Sequence, residues 1–184
     1  MRRRTAVGRV SEKLAEASRR AKEAFRPVTQ SRLAALAADP DARQRLLALM
    51  LMRRRIDEGA PAIDYLSLAR PLVEDPDNDC RWQALIVVGE NVDAHPEEVW
   101  RVVLAHGDST DADMRMGVAV VLLDDLLARH FDEYLPKVRA ELRRSSARFA
   151  DMVKSCWVGS PDDPRTRRLR KHVRNAARGR PGQS

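Results

Sequence analysis

The chain has little of what a disulfide-bonded or membrane-spanning protein needs. Only 4% of its 184 residues are aromatic, and β-branched residues are few outside two short runs, a composition that suits helices. Two cysteines, Cys80 and Cys156, cannot build a disulfide framework, so a reducing cytoplasm is the expected compartment. The longest apolar run has about eight residues, far below the roughly 20 that span a bilayer. No apolar stretch follows the basic start, which argues against a signal peptide.

Residue patterns that carry catalytic chemistry are also missing. The four histidines show no metal-ligand spacing, and the two cysteines lack the C-x-x-C spacing of zinc sites. The glycines are solitary and build no phosphate-binding loop, and no Ser–His–Asp order is recognisable. We therefore expect no metal site, no cofactor and no enzyme activity.

What the chain does have is an uneven distribution of charge. Residues 1–32 carry a net charge of +7 and residues 165–184 a net charge of +8, whereas residues 33–164 carry −8. Basic ends on an acidic body suggest segments that seek a polyanion. The candidate nucleic-acid contacts at the C-terminal end are Arg165, Arg167, Arg168, Arg170 and Lys171. The alternatives are a solvated tail and a tail that folds back on the acidic body.

Apolar residues recur at helical spacing along most of the chain. Residues 7–25 read as a basic amphipathic helix that ends at Pro27. It has the charge to lie on an anionic membrane, but its apolar face is mostly Ala and too small to hold it there alone. Further helices are predicted over residues 31–38, 42–57, 62–74, 82–92, 95–106, 114–128, 131–144 and 146–157. The apolar positions of the helix over 42–57 are Leu46, Leu47, Met50, Leu51 and Ile56.

A sequence repeat with a period of 34–36 residues orders these helices. Its copies are Asp39–Leu49, Asp75–Leu85 and, more weakly, the segment from Ser109 to Ala119. In the first two copies an Asp-Pro-Asp turn precedes an arginine and then an Ala-Leu pair; in the third copy Ser109 replaces the first aspartate. A period of this length is typical of stacked helical hairpins, each too small to bury its own apolar face.

The spacing of aspartate and arginine in these copies resembles the HEAT repeat. In that family the Asp and Arg side chains of neighbouring repeats bond across the stack, so the resemblance implies that Arg45, Arg81 and Arg115 form such a ladder. The block from Cys80 to Glu90, together with Cys156-Trp157, is similar to small bacterial HEAT-like proteins. We therefore predict an all-α, right-handed α-α superhelix of three to four hairpins over residues 29–158. A basic N-terminal helix (1–28) and a basic C-terminal tail (159–184) flank it.

The resemblance implies a non-catalytic scaffold that binds a protein partner through its concave inner-helix face. The candidate contact residues are Trp82, Glu90, Asp124, Asp125 and Trp157. The alternatives are that the tryptophans pack in the core and that the carboxylates are solvated. HEAT-like DNA glycosylases, which excise alkylated bases, are a second relative by architecture; in that reading the two tryptophans, Asp124 and Asp125 would line a basic groove, although the body of this chain is acidic. The oligomeric state and the identity of the partner stay open.

Overall fold

The structure is a computed structural model that describes residues 28–156 and 162–178. Every regular element in these ranges is helical, which confirms the prediction of an all-α fold. The chain divides into two compact units, Met1–Arg32 and Leu33–Ser184. The predicted helix over 7–25 and Trp157 both lie outside the described residues.

The helices follow one another with short connections. In chain order they are α1 (Gln30–Ala37), α2 (Ala42–Asp57), α3 (Ile63–Ala69), α4 (Asn78–Gly89), α5 (Pro96–His106), α6 (Ala112–Gly117), α7 (Asp124–Arg144), α8 (Ala147–Lys154) and α9 (Pro164–Arg178). A 3-10 turn, Arg70–Glu74, extends α3, because Pro71 has no amide hydrogen to continue the α-helical pattern. A π-helical segment, Val118–Leu123, joins α6 to α7.

A kink divides α7 into two parts. At His130 the backbone leaves the helical region, with φ −126° and ψ 39°. The residues before the kink continue the helix that α6 begins, so the apolar run over 118–123 is helical, as the sequence predicts. The residues after the kink form a separate helical stretch that corresponds to the predicted helix over 131–144.

The sequence repeat is a repeat of one hydrogen-bonded turn, which starts α2, α4 and α6. The capping carboxylates of Asp41, Asp77 and Asp111 accept hydrogen bonds from backbone amides in the first turn of each helix. Two residues before each cap, the side chain of Asp39, Asp75 or Ser109 accepts from the amide of the capping residue. Six residues further on, the guanidinium of Arg45, Arg81 or Arg115 donates to the carbonyl of that same first residue. The turn therefore satisfies the free amides at each helix start.

The helices pack in two rows. In the first row α2 packs against α4, α4 against the π-helical segment, and this segment against α8. In the second row α5 packs against α7, and α7 against α9. The Tyr134 hydroxyl donates to Glu97 Oε1 at 2.9 Å and so joins α7 to α5.

The packing of α2 corrects one expectation from the sequence. Ala48, Leu49 and Met52 are its fully buried residues, and α2 packs on α4. Leu47 and Met50, which the apolar periodicity groups with the core positions, are instead 43% and 57% exposed. Only one side of α2 is covered, so part of its broad apolar stripe stays open to solvent.

Of the two alternatives for the C-terminal basic segment, a solvated tail and a tail that folds back on the body, the structure has the second. Residues 164–178 form α9, which packs against α7 and α8. Thr166, Leu169 and Val173 are buried, with 2%, 2% and 4% of their surface exposed. Their spacing of three and four residues puts them on one face of the helix. The apolar signal was weak because only two of these three residues are apolar in a segment dominated by arginine.

Candidate functional site

The exposed side of the first row holds two adjacent grooves. The first groove has a volume of about 390 Å³ and lies between α2 and α4. It is lined by Leu46, Met50, Arg53, Arg54, Asp57, Asp79, Trp82 and Gln83. The α2 residues at positions 46, 50, 53 and 57 recur every three or four residues, which places them on one helical face.

Trp82 forms the aromatic wall of the first groove. Its indole N–H donates to Asp113 Oδ2 at 3.1 Å, which ties α4 to α6. Its ring lies beside Gly117, where an added Cβ would be 3.9 Å from ring carbons. Trp82 is half-buried, so part of the ring packs between helices while the residue also lines the groove. The two alternatives that the sequence left open, core residue and exposed platform, both describe it in part.

The second groove has a volume of about 330 Å³, and its lining is more polar than that of the first. It is lined by Arg53, Ile86, Gly89, Glu90, Val92, Asp93, Val120, Val121, Asp125 and Arg129. Arg129 forms an ion pair with Asp93. Within the described ranges the carboxylates of Glu90 and Asp125 form neither an ion pair nor a hydrogen bond, so their charges are available to a ligand.

The structure brings together some of the predicted partner-binding residues and separates others. Trp82 lines the first groove, and Glu90 and Asp125 line the second. Asp124 is half-buried, already has an interaction partner in the protein and lines neither groove.

The most informative residue that the sequence reasoning missed is Arg53. It lines both grooves and so connects their apolar and charged parts. The available signal was its position on the α2 face of Leu46 and Met50, three residues after Met50. Within the run Arg53-Arg54-Arg55 the sequence offers no local reason to prefer one arginine.

Two of the three predicted ladder arginines connect successive copies of the repeat. Arg45 binds Asp75 through two bonds, Nε to Oδ2 at 2.5 Å and Nη2 to Oδ1 at 2.9 Å. Arg81 Nη2 lies 3.6 Å from carboxylate oxygens of both Asp111 and Asp113. The hydrogen bonds between Arg45 and Asp75 raise the pKa of the guanidinium and lower the pKa of the carboxyl group.

Arg115 behaves differently from the other two arginines. It donates to the carbonyl oxygens of Ser109 and Thr110 in its own turn, and in the described part of the chain it meets no carboxylate. In the following turn, before α8, Ser146 is the capping residue at the place where the earlier turns have an aspartate. The Ser146 hydroxyl bonds instead to Asp108, so the link between these copies does not involve Arg115.

Other reactive groups are buried or dispersed. Burial raises the pKa of the Cys80 thiol to about 11 and raises that of Cys156 as well, so both stay protonated at neutral pH. Among the residues with described positions, no group of three or more His, Cys, Asp or Glu is arranged to hold a metal ion. In the same ranges no helix has the length and apolar character needed to cross a membrane.

Of the five predicted nucleic-acid contacts, two form ion pairs with described residues of the protein and three do not. Arg165 forms an ion pair with Asp163 and donates to the Ala128 carbonyl. Arg168 pairs with Asp132 and lies 5.3 Å from the centre of the Phe131 ring. The remaining three, Arg167, Arg170 and Lys171, are exposed and form no ion pair with any described residue.

Comparison with known proteins gives a family but no activity. The profile of a family of unknown function, DUF6869, matches residues 72–177. This segment runs from the 3-10 turn through α9 and includes Trp82, Glu90 and Asp125, whereas Met50 and Arg53 precede it. No curated protein and no solved structure shows significant similarity to the chain. Because the match covers more than half of the sequence, the chain belongs to the family of unknown function DUF6869.

Proposed function

We propose that the protein is a non-catalytic helical scaffold that binds a protein partner through the exposed side of α2, α4 and the π-helical segment. In this proposal the helices stack as a HEAT-like, right-handed superhelix with the two grooves on its concave face. Three observations support the stacking: the identically built turns, the ion pairs that Arg45 and Arg81 make with the next copy, and the two-row packing.

The observation that carries the proposal is the placement of a groove that contains Met50 and Trp82 beside a groove that contains two carboxylates paired with no described residue. Met50 and Trp82 offer a site for a large apolar side chain, whose burial contributes about 1.5–3 kcal/mol, and methionine adapts readily to the shape of its neighbour. Glu90 and Asp125 offer free carboxylates to a lysine or arginine of the same partner. The site therefore fits a protein segment with an apolar anchor and a nearby basic residue.

The residues that the sequence suggests for base excision do not meet in one groove. A base-excising site needs an aromatic ring and a free carboxylate in one pocket. Trp82 lines the first groove, whereas Asp125 lines the second and Asp124 lines neither. The carboxylates that share the first groove with Trp82 are those of Asp57 and Asp79, and both residues are exposed to solvent. The free and buried Cys80 and Cys156 thiols fit the reducing cytoplasm as the proposed compartment.

Quantitative capture from an extract of the source cells tests the partner site. Tagged wild-type protein is compared with Met50→Glu, which places a charge in the first groove, and with Glu90→Lys/Asp125→Lys, which inverts the charge of the second. We expect a protein retained by the wild type after nuclease treatment to be depleted about tenfold by either variant, since loss of about 1.4 kcal/mol is a tenfold change in affinity.

The matched control is Leu104→Glu. Leu104 is also an exposed apolar residue, at 40%, but it lies on α5 outside both grooves. It should retain the partner at the wild-type level, and calorimetry with the purified partner should reproduce the ranking. Equal retention of every captured protein by all four forms would contradict the proposal.

A further inference from the structure

The helix α9 presents a dense positive charge on a fixed support. It contains no acidic residue, and its buried side, formed by Thr166, Leu169 and Val173, packs against α7 and α8. Because this side is anchored within the protein, the opposite side of the helix is held toward solvent.

Four cations of α9 lie on that outer side and are unneutralised. Arg167, Arg170, Lys171 and Arg174 are exposed, and their spacing of three, one and three residues places them on one side of the helix. No carboxylate in the described ranges pairs with any of them. Asp163 and Asp132, which lie near this helix, are paired with Arg165 and Arg168 at its N-terminal end, and the exposed Asp162 precedes that end.

The helix α7 adds two further cations. Arg139 and Arg143 are exposed, stand four residues apart and have no acidic partner among the described residues. Burial lowers the pKa of His172 on α9, and the positive charges of Arg139, Arg168, Lys171 and Arg143 lower it further, as expected for charges gathered where α7 packs on α9. We name this surface the α7/α9 basic face; it comprises Arg139, Arg143, Arg167, Arg170, Lys171 and Arg174.

We infer that the α7/α9 basic face binds nucleic acid through its phosphate backbone. Guanidinium groups form bidentate, charge-assisted hydrogen bonds with phosphate oxygens. The stretch from Arg167 to Arg174 is about 10–12 Å long at 1.5 Å per residue, and duplex DNA carries one phosphate charge per about 1.7 Å of its axis. Because α9 has no Phe, Tyr or Trp on which a base could stack and its outer cations reach phosphates, the contact is independent of base sequence.

The same observations disfavour an anionic membrane as the ligand. An interfacial helix holds to a membrane by burying its apolar face among the lipids. Leu169 and Val173, the apolar residues on the buried side of α9, are covered by the protein itself.

Fluorescence polarisation with the full chain tests the inference. The probes are a labelled duplex DNA and a labelled single-stranded RNA, both of mixed sequence, and anionic vesicles serve as the membrane arm. We expect Arg170→Glu/Arg174→Glu to weaken binding to at least one nucleic acid by about tenfold or more near physiological salt. The slope of log affinity against log salt should flatten by about 1 for each phosphate that the variant no longer neutralises.

The matched control is Arg43→Glu/Arg70→Glu, which changes the net charge equally at two exposed arginines outside the face. Both variants keep the charges of residues 1–32, so these charges cannot cause a difference in binding between them. The control should stay within about twofold of the wild type, because screening removes most of the effect of distant exposed charges. Arg170→Lys/Arg174→Lys, which keeps the charge, should bind more tightly than the Glu variant.

A second variant, Arg139→Glu/Arg143→Glu on α7, should also weaken binding. Because it leaves the sequence of α9 unchanged, the test does not depend only on variants that could unfold α9. Equal weakening by the control variant would overturn the inference, as would failure to bind either nucleic acid at low salt. Binding to anionic vesicles without binding to nucleic acid would also overturn it and would assign the face to a membrane. None of these measurements involves the two grooves, so the outcome is independent of the proposed protein-binding function.

Discussion

At the scale of residues, Asp75 connects two copies of the repeat. It is 5% exposed and accepts hydrogen bonds from the Arg45 guanidinium and from the Asp77 amide. A buried carboxylate is unfavourable without partners, and these donors hold the pKa of Asp75 below its ordinary value, with the bonds from Arg45 as the main cause. Asp75 therefore stabilises the turn of its own copy and also accepts hydrogen bonds from the arginine of the preceding copy.

The lowered pKa of Asp75 predicts a pH-dependent contribution to stability. The contribution is complete above the pKa of an unfolded aspartate, about 3.9, and is lost as the pH falls through the lower pKa of the folded group. We expect Asp75→Asn to reduce the free energy of unfolding at pH 7 by about 1.5–3 kcal/mol, the range for a hydrogen bond to a charged group. Its stability should then depend less on pH below about 4 than that of the wild type.

Urea unfolding at neutral and at acidic pH measures both effects. Asp57→Asn, which changes an exposed carboxylate of α2, is the control and should follow the wild-type pH profile. A profile of Asp75→Asn parallel to that of the wild type would mean that Asp75 carries no such linkage.

At the scale of elements, the close approach of α8 to the turn after α5 depends on a glycine. A Cβ on Gly107, the capping residue that follows α5, would lie 2.7 Å from the Val103 carbonyl oxygen and 2.8 Å from Met152 Cε. At Gly89, which ends α4, the nearest atom would be 3.5 Å away, an ordinary contact. A side chain at position 107 would therefore clash with its neighbours, whereas a side chain at position 89 would not.

We expect Gly107→Ala to destabilise the protein by about 1–3 kcal/mol, the usual cost of overpacking a well-filled site. Gly89→Ala should be neutral or stabilising by up to about 1 kcal/mol, because alanine has the higher helix propensity. Thermal unfolding of the two variants side by side provides the comparison. Equal shifts in Tm would show that the close approach at Gly107 is relieved by movement of α8.

At the scale of the whole molecule, the basic C-terminal segment belongs to the folded body. Leu169 is 2% exposed, and α9 packs against both α7 and α8. A docked α9 orders its own cations, whereas an unattached tail would lose conformational entropy on binding a ligand.

We expect Leu169→Ala to reduce the free energy of unfolding by about 2–5 kcal/mol, the range for removing a buried leucine side chain. Arg170→Ala, one residue further and exposed, should change it by less than about 0.5 kcal/mol. Denaturant unfolding distinguishes these effects. Equal stability of the two variants would mean that α9 does not contribute to the core.

Much of the fold and part of the site could be predicted from the sequence. The helices over 42–57 and 95–106 and the helix break near His130 follow from local periodicity, proline and capping residues. Trp82 was a justified candidate because of its size and its place at a helix start. Arg53 was not found, since its place depends on α4 packing beside α2 and on residues of α7 that line the same groove, and a single helix does not carry that information.

The sequence by itself determined the all-helical class, the repeated turn and the uneven charge, because each depends on residues within a few positions of one another or on composition. Only the tertiary structure decided which side of α2 stays open, which carboxylates keep their charge free and that α9 docks. These properties depend on contacts between segments about 30 to 40 residues apart, as the bond from Arg45 to Asp75 and that from Arg165 to the Ala128 carbonyl show. Local propensity specifies the helices, but the free energy of packing them together selects the faces that remain exposed.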